Sequence, residues 1–190
     1  MLEHIPSAVG AALSGLKAGM EKTAYHAAFQ EVPEALTLTS PAFADGAALP
    51  ARFTADGQGL SPPLAWSGLP TGTVALVLLV EDAGSPTPRP LVHLIAWNIP
   101  AAEQGLDEGA LPSPGRRADS HQLGQNSFLR SEWLPPDPPS GHGAHDYLFQ
   151  IYALREALDL PDGSGRGRLL EAMRDCVIGK GKLLGRYSRA

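Results

Sequence analysis

Prolines gather in three short stretches, at residues 61–63, 85–90 and 134–139, which separate the most apolar segments of this chain. Proline fixes the backbone angle φ and lacks an N–H group, so it interrupts helices and central strands but suits rigid turns. The 21 glycines and 18 prolines make up about a fifth of the 190 residues, against a usual share of roughly 12%. This composition disfavours a helical bundle. We expect one globular domain of strands joined by tight loops.

The apolar runs between these loops have the length and pattern of β-strands. Residues 36–39 alternate as in a half-buried strand. Residues 74–80 form an uninterrupted apolar run, which is typical of a central strand buried on both faces. Further strands are expected at residues 91–97, 147–154 and 183–187, and a short helix at residues 168–177.

The first 32 residues differ from the rest. Their apolar side chains recur at three- and four-residue steps, the spacing of one helix face; they are Leu2, Ile5, Val9, Leu13, Leu16 and Met20. We expect residues 1–32 to form an amphipathic helical arm, followed by a main domain of residues 36–190. The arm would pack on its own domain or join two copies as a homodimer. A helix on a membrane surface is disfavoured because the arm has only two lysines.

Charge and cysteine content narrow the choice of partners. Fifteen basic and twenty acidic residues give a net charge of −5, so no basic field favours nucleic acid. Cys176 is the sole cysteine. It excludes an internal disulfide and is expected in the core. No stretch approaches the roughly 20 apolar residues of a membrane span, and residues 1–6 do not resemble a secretory signal. We expect a cytoplasmic protein without integral membrane contact.

Titratable side chains cluster near the ends of three predicted strands. Asp82 follows the most apolar strand, and His93 interrupts another. His145 and Tyr147 share a face if a strand begins at residue 145. Imidazole and phenol groups held beside rigid proline loops suit phosphate, sulfate or carboxylate better than a cation. Asp82 would orient a histidine, whereas His142 is expected to face solvent.

Several short blocks follow one another in a fixed order along residues 36–189. They are LSPPLAW at 60–66, VEDAGSP at 80–86, PLVH at 90–93, WNIP at 97–100, GQNSF at 124–128, PPDPP at 135–139, GAHDY at 143–147 and LGRY at 184–187. In this combination the chain resembles the phosphatidylethanolamine-binding protein family, in the bacterial branch described as Raf-kinase-inhibitor-like proteins. The resemblance covers roughly four-fifths of the chain.

The resemblance implies a mainly β fold, an antiparallel β-sandwich with a few short helices, to which residues 1–32 add an N-terminal helix. It also implies one small anion-binding pocket. We expect neither a cofactor nor a metal ion. The ligand-binding residues it implies are Asp82, His93, Pro138, Pro139, His145 and Tyr147. Pro86 falls on a proline whose preceding peptide bond tends to be cis in the family.

Four positions depart from the family pattern. Ala83 and Gly84 replace a proline and the second aspartate of one signature, and Asp146 replaces an arginine. Asp137 stands where relatives have cysteine or glycine. These changes alter the charges expected around the pocket.

The leading hypothesis is a non-catalytic protein that binds phosphate or a phosphorylated headgroup and modulates a partner such as a kinase or protease. Two alternatives remain open. One is a metal-dependent or acid–base enzyme that uses His93, His145 and Asp82. The other is a homodimeric interaction protein, joined through residues 1–32, with a vestigial pocket.

Overall fold

Two β-sheets pack face to face, and helices cover the outer side of the larger sheet. The computed structural model describes residues 7–114 and 122–189. The strands are β1 (Thr37–Thr39), β2 (Ala47–Ala48), β3 (Leu64–Ser67), β4 (Ala75–Asp82), β5 (Leu91–Pro100), β6 (Gly105–Leu106), β7 (Gln122–Leu123), β8 (His145–Leu154) and β9 (Val177–Tyr187). The helices are α1 (Ser7–Leu13), α2 (Ala24–Ala27) and α3 (Arg166–Met173), with 3₁₀ turns at Met20–Lys22 and Ala51–Phe53.

The small sheet has the strand order β1-β3-β6, and the large sheet has the order β2-β9-β8-β4-β5-β7. Neighbouring strands pair antiparallel except β2 and β9, which are parallel. The predicted fold class, a mainly antiparallel β-sandwich with few helices, is confirmed.

Strand β4 shows how the layers are held together. Leu76, Leu78 and Val80 join the core cluster shared with the small sheet. Val77 and Leu79 join the cluster shared with the helices. Both faces of β4 are therefore buried, which explains why its sequence is apolar without interruption rather than alternating.

Strand β9 is longer than the sequence suggests because glycines hide its pattern. The prediction began at residue 183, whereas the strand begins at Val177. A side chain at Gly181 would collide with the Leu36 carbonyl that passes over it. The glycine thus marks a close approach of two backbones.

The N-terminal arm is not one helix. Helix α1 ends at Leu13, and Gly19 adopts a φ of 100° before the next helical turn. Val9 and Leu16 are 46% and 56% exposed, so the periodic apolar positions do not form one buried face. The glycines between the segments favour the change of direction.

The second half of the arm packs on the large sheet of its own chain. Tyr25 and Phe29 lie in the core under the helices. The Lys180 ammonium group donates hydrogen bonds to the carbonyl oxygens of Tyr25, Phe29 and Gln30, at 3.1, 2.8 and 3.3 Å. Carbonyls at a helix end lack partners within the helix, and Lys180 supplies one. Association of two copies through residues 1–32 remains a prediction.

Two further expectations concern local features. The Ser85–Pro86 peptide bond, expected to be cis, is trans, since the described residues contain no cis peptide bond. Cys176 is buried as expected. Among the described residues no helix is both long and apolar enough to cross a bilayer.

Candidate functional site

His93 is the extra residue of a β-bulge. Val80 lies opposite Leu94 and Glu81 opposite Val92, so His93 has no opposite residue on β4. A bulge turns a side chain out of the regular alternation. Here it directs the imidazole towards a cleft beside the end of β4.

Asp82 and Tyr147 lie directly opposite each other on β4 and β8. Strand β8 begins at His145. His145 and Tyr147 therefore point to the same face, as the sequence alternation predicts. All three residues are buried, so Asp82 lies inside the site.

A cleft of about 530 Å³ opens over these side chains. Five of the six residues that the resemblance implies line it: Asp82, His93, Pro139, His145 and Tyr147. Pro138 does not line it, and its carbonyl oxygen accepts a hydrogen bond from Arg189 at 3.0 Å. The fold thus brings residues from three strands and one proline loop to one cleft.

The His93 imidazole faces the cleft with an acceptor atom. Its Nδ1 lies 2.7 Å from the Leu134 carbonyl oxygen. A carbonyl only accepts, so Nδ1 carries the hydrogen. Burial lowers the pKa of His93, although Asp82 opposes this shift. The ring is therefore neutral at neutral pH, with the lone pair on Nε2.

Tyr147 presents a hydroxyl group to the same space. Burial, with the negative charge of Asp82, raises the pKa of Tyr147 well above its usual value, so the hydroxyl keeps its proton. Within the described part of the chain, neither Tyr147 Oη nor His93 Nε2 has a hydrogen-bond partner. Buried polar atoms are normally paired. These two are therefore available to a ligand.

Asp82 and His145 are already engaged within the protein. The two oxygens of Asp82 bind the backbone N–H of Gly84 at 2.8 Å and the Nδ1 of His145 at 2.7 Å. The His145 Nε2 lies 2.8 Å from the Nδ1 of His142. His145 would have to give up a hydrogen bond to donate to an anion or to bind a metal ion. His93 is farther from Asp82, at 4.0 Å from Nε2 to Oδ2.

The expectation that His142 faces solvent is wrong. Its side chain is buried, and its Nε2 lies 2.9 and 3.2 Å from the carbonyl oxygens of Leu13 and Leu16 in the arm. His142 precedes strand β8 and does not follow its alternation. The loop can therefore bring its ring against His145.

Gly84 is explained by the packing of this cluster. A Cβ atom at this position would lie 2.6 Å from His145 Cα, a distance that real Cβ atoms do not show. The aspartate of the family signature could not occupy this position without a backbone shift. Asp146, another departure, points away from the cleft and pairs with Arg186 at 3.0 Å.

Arg189 connects the end of the chain to the proline loop at the cleft. Its guanidinium group binds Asp137 at 2.7 Å and Asp56 at 2.7 Å. Hydrogen bonds to these carboxylates raise the pKa of Arg189 and lower that of Asp56. The negative charge that Asp137 adds to the cleft wall is thus opposed by a neighbouring positive charge.

Sequence reasoning missed Arg189, His142 and the carbonyls of the arm. The two histidines three residues apart are a usable signal, but residues three apart in a regular strand point to opposite faces. No sequence pattern indicated that the arm would reach this loop. Across residues 7–114 and 122–189, no group of three histidine, cysteine or acidic side chains is arranged to hold a metal ion.

Comparison with known proteins gives a consistent result. A family model described as phosphatidylethanolamine-binding protein matches residues 39–188. A UPF0098 protein of Methanothermobacter thermautotrophicus is 38% identical over 154 residues, 81% of this chain and 99% of the relative. The "Putative lipoprotein LppC" of Mycobacterium tuberculosis is 34% identical over 154 residues, 81% of this chain and 73% of the relative.

Solved structures agree with these matches. A phosphatidylethanolamine-binding protein homologue from Chlamydia trachomatis superposes with a TM-score of 0.74 at 32% identity, covering 83% of this chain and 99% of its own. The Escherichia coli protein YbcL gives a TM-score of 0.73 at 26% identity, covering 82% and 99%. The family match begins at residue 39, so the arm lies outside it.

Proposed function

Because this chain belongs to the phosphatidylethanolamine-binding protein family, we propose that it is a non-catalytic protein that binds a small anion in the cleft. The ligand would be phosphate or a phosphorylated headgroup. Asp82, His93, Pro139, His145 and Tyr147 would form the binding site. Family membership supports a ligand-binding protein in general, and the anion is our proposal.

The observation that carries this proposal is a pair of buried polar atoms that face the cleft, His93 Nε2 and Tyr147 Oη, neither of which has a hydrogen-bond partner among the residues that the structure describes. The tyrosine hydroxyl can donate to a phosphate oxygen. The His93 Nε2 can accept from a protonated phosphate, or donate once the ring itself is protonated. A hydrogen bond to a charged group is worth about 1.5–3 kcal/mol.

The other charges near the cleft are paired. The Asp82 carboxylate binds His145, and Asp137 binds Arg189. Arg130 and Glu132, which also line the cleft, lie 3.5 Å apart. An anion that enters therefore meets carboxylates whose charge is already opposed, and protonation of His93 would add an attractive charge.

Isothermal titration of the full chain with inorganic phosphate and with phosphoethanolamine tests the proposal. We expect saturable binding that strengthens as pH falls from 8 to 5 and is lost in His93→Ala. His26→Ala is the matched control, because His26 does not line the cleft and bonds to Thr23. The proposal fails if the wild type binds no phosphorylated compound.

Modulation of a kinase or protease and a cytoplasmic location remain predictions. The name of the mycobacterial relative describes a lipoprotein, so cell fractionation is the direct test of location.

A further inference from the structure

The first half of the arm lies against the cluster formed by Asp82, His145 and His142. Gly10 packs against the loop that carries His142, and a Cβ atom there would overlap the Ser140 carbonyl oxygen. The backbone N–H groups of Ala18 and Gly19 donate to the carbonyls of Ser85 and Ala83, at 2.7 and 2.9 Å. The arm therefore contacts the loop that follows β4 and the loop that precedes β8.

The hydrogen bonds of this cluster dictate where its protons lie. The two arm carbonyls only accept, so His142 Nε2 carries a hydrogen. The contact between His142 Nδ1 and His145 Nε2 needs one hydrogen. The contact between His145 Nδ1 and Asp82 needs another. Three protons are thus shared among one carboxyl group and two imidazoles.

This proton count makes the cluster neutral. Two imidazoles hold two protons when uncharged, so the third proton offsets the negative charge of Asp82. The count is the same whether that proton resides on His145, His142 or Asp82. Without the arm, His142 Nε2 no longer faces two acceptors, and its ring can accept from solvent instead. His142, His145 and Asp82 then share two protons instead of three, which leaves a net charge of −1 beside the cleft.

We propose that the arm is a working part of the binding site: the Leu13 and Leu16 carbonyls hold the shared proton on His142 and His145, and the held proton permits anion binding. His142 is a positioning residue, since it does not line the cleft. The inference rests on the proposed function for its ligand. Linkage is reciprocal, so a bound anion must also hold the arm in place.

Several titratable groups surround the cluster and must be separated from it in any test. His93 lies 4.0 Å from Asp82, and the Tyr147 ring lies 6.2 Å from the His145 ring. Asp137 acts on His93 and Tyr147, and Arg189 acts on Tyr147. A pH profile alone mixes these contributions. The imidazole nitrogens therefore have to be observed one residue at a time.

Two glycines of the arm provide a matched pair of variants. Gly10→Ala forces a Cβ atom onto the Ser140 carbonyl and should displace the arm. Gly15→Ala adds the same methyl group where no atom lies within 4 Å. Hydrogen exchange at Ala18 and Gly19 reports whether the arm is released. Gly10→Val provides a larger obstacle if the methyl group leaves these amides protected.

The experiment combines this exchange with ¹⁵N NMR of the histidine rings and titration with inorganic phosphate at pH 7. In the wild type and Gly15→Ala we expect the two rings and the Asp82 carboxyl group, the latter observed by ¹³C NMR, to hold three protons together, with equal phosphate affinity. In the variant that releases the arm we expect these groups to hold two protons, with an affinity at least about fivefold lower. Phosphate should also slow exchange at Ala18 and Gly19 in the wild type.

Two results would overturn the inference. One is a wild-type pair with two uncharged rings beside an ionised Asp82. The other is a released arm with unchanged ring protons and unchanged affinity. Absence of phosphate binding in the wild type would defeat only the proposed function, because the NMR comparison measures the hold on the proton without any ligand.

Discussion

Glu81 and Asp82 are adjacent buried acids on strand β4, and they differ in how completely the polar atoms around them are hydrogen-bonded. Glu81 faces the helices, where its oxygens bind the Ala24 N–H, the Gln150 amide and Arg166, at 2.7, 2.9 and 2.6 Å. Asp82 faces the cleft, where His93 Nε2 and Tyr147 Oη are two of the four buried side-chain atoms without a partner in the described chain. A fully paired cluster stabilises a fold, whereas an incompletely paired one beside a cleft is arranged for a ligand.

The largest effect is expected from removing the fully paired acid. Glu81→Ala leaves Arg166, the Ala24 N–H and the Gln150 amide without their acceptor, and should cost about 3–5 kcal/mol in the free energy of unfolding. Asp146→Ala, which removes the exposed pair with Arg186, should cost about 0–1 kcal/mol. Urea denaturation measures both. Equal losses would show that Glu81 has no special structural role.

A smaller loss of stability is expected from crowding the cleft side. Gly84→Ala places a Cβ atom against His145 and should cost about 1–3 kcal/mol, with weaker phosphate binding as His145 shifts. Gly167→Ala in helix α3 meets open space and should stabilise by about 0.5–1 kcal/mol. Thermal denaturation and phosphate titration of the two variants check this. A tolerated Gly84→Ala would contradict the packing explanation.

Two tyrosines on β8 test the comparison directly. Tyr152 donates to Gln150 at 2.7 Å on the Glu81 side. On the Asp82 side the Tyr147 hydroxyl has no hydrogen-bond partner among residues 7–114 and 122–189. Tyr147→Phe should leave stability unchanged or higher and lower phosphate affinity about tenfold. Tyr152→Phe should lose about 1 kcal/mol of stability and keep its affinity. Both variants are measured by urea denaturation and calorimetric titration, and the reverse pattern would refute the assignment.

The smallest effect is a pH dependence from His93. Burial lowers its folded pKa below the ordinary value of about 6.5, so the unfolded chain takes up the proton first. Stability should therefore fall as pH drops below about 6.5, by at most about 1.4 kcal/mol per pH unit for this residue. His93→Gln should flatten the profile, and phosphate should reduce the fall in the wild type. His26, whose pKa burial also lowers, contributes equally to both proteins.

Strands β4, β5 and β8 and the shared face of His145 and Tyr147 could be predicted from local patterns in the sequence, whereas the full set of cleft residues came from the family resemblance. The apolar run at 74–80 and the alternation from His145 are statements about neighbours in the chain, and the structure confirms both. The bulge that directs His93 depends on strand register. The contact of His142 with Leu13 joins residues 129 positions apart, and no local pattern encodes it. His142 was misplaced for that reason.

Lys180 gives the arm a built-in chemical reporter. Its amine is enclosed by three carbonyls of residues 25–30, and burial lowers its pKa, whereas Lys17 and Lys22 are exposed. An acylating reagent should modify those two at once and reach Lys180 only when the second half of the arm separates from the sheet. In a variant at Gly10, a Lys180 that stays unmodified therefore indicates a local release around Gly10, whereas a modified Lys180 indicates the loss of the whole arm.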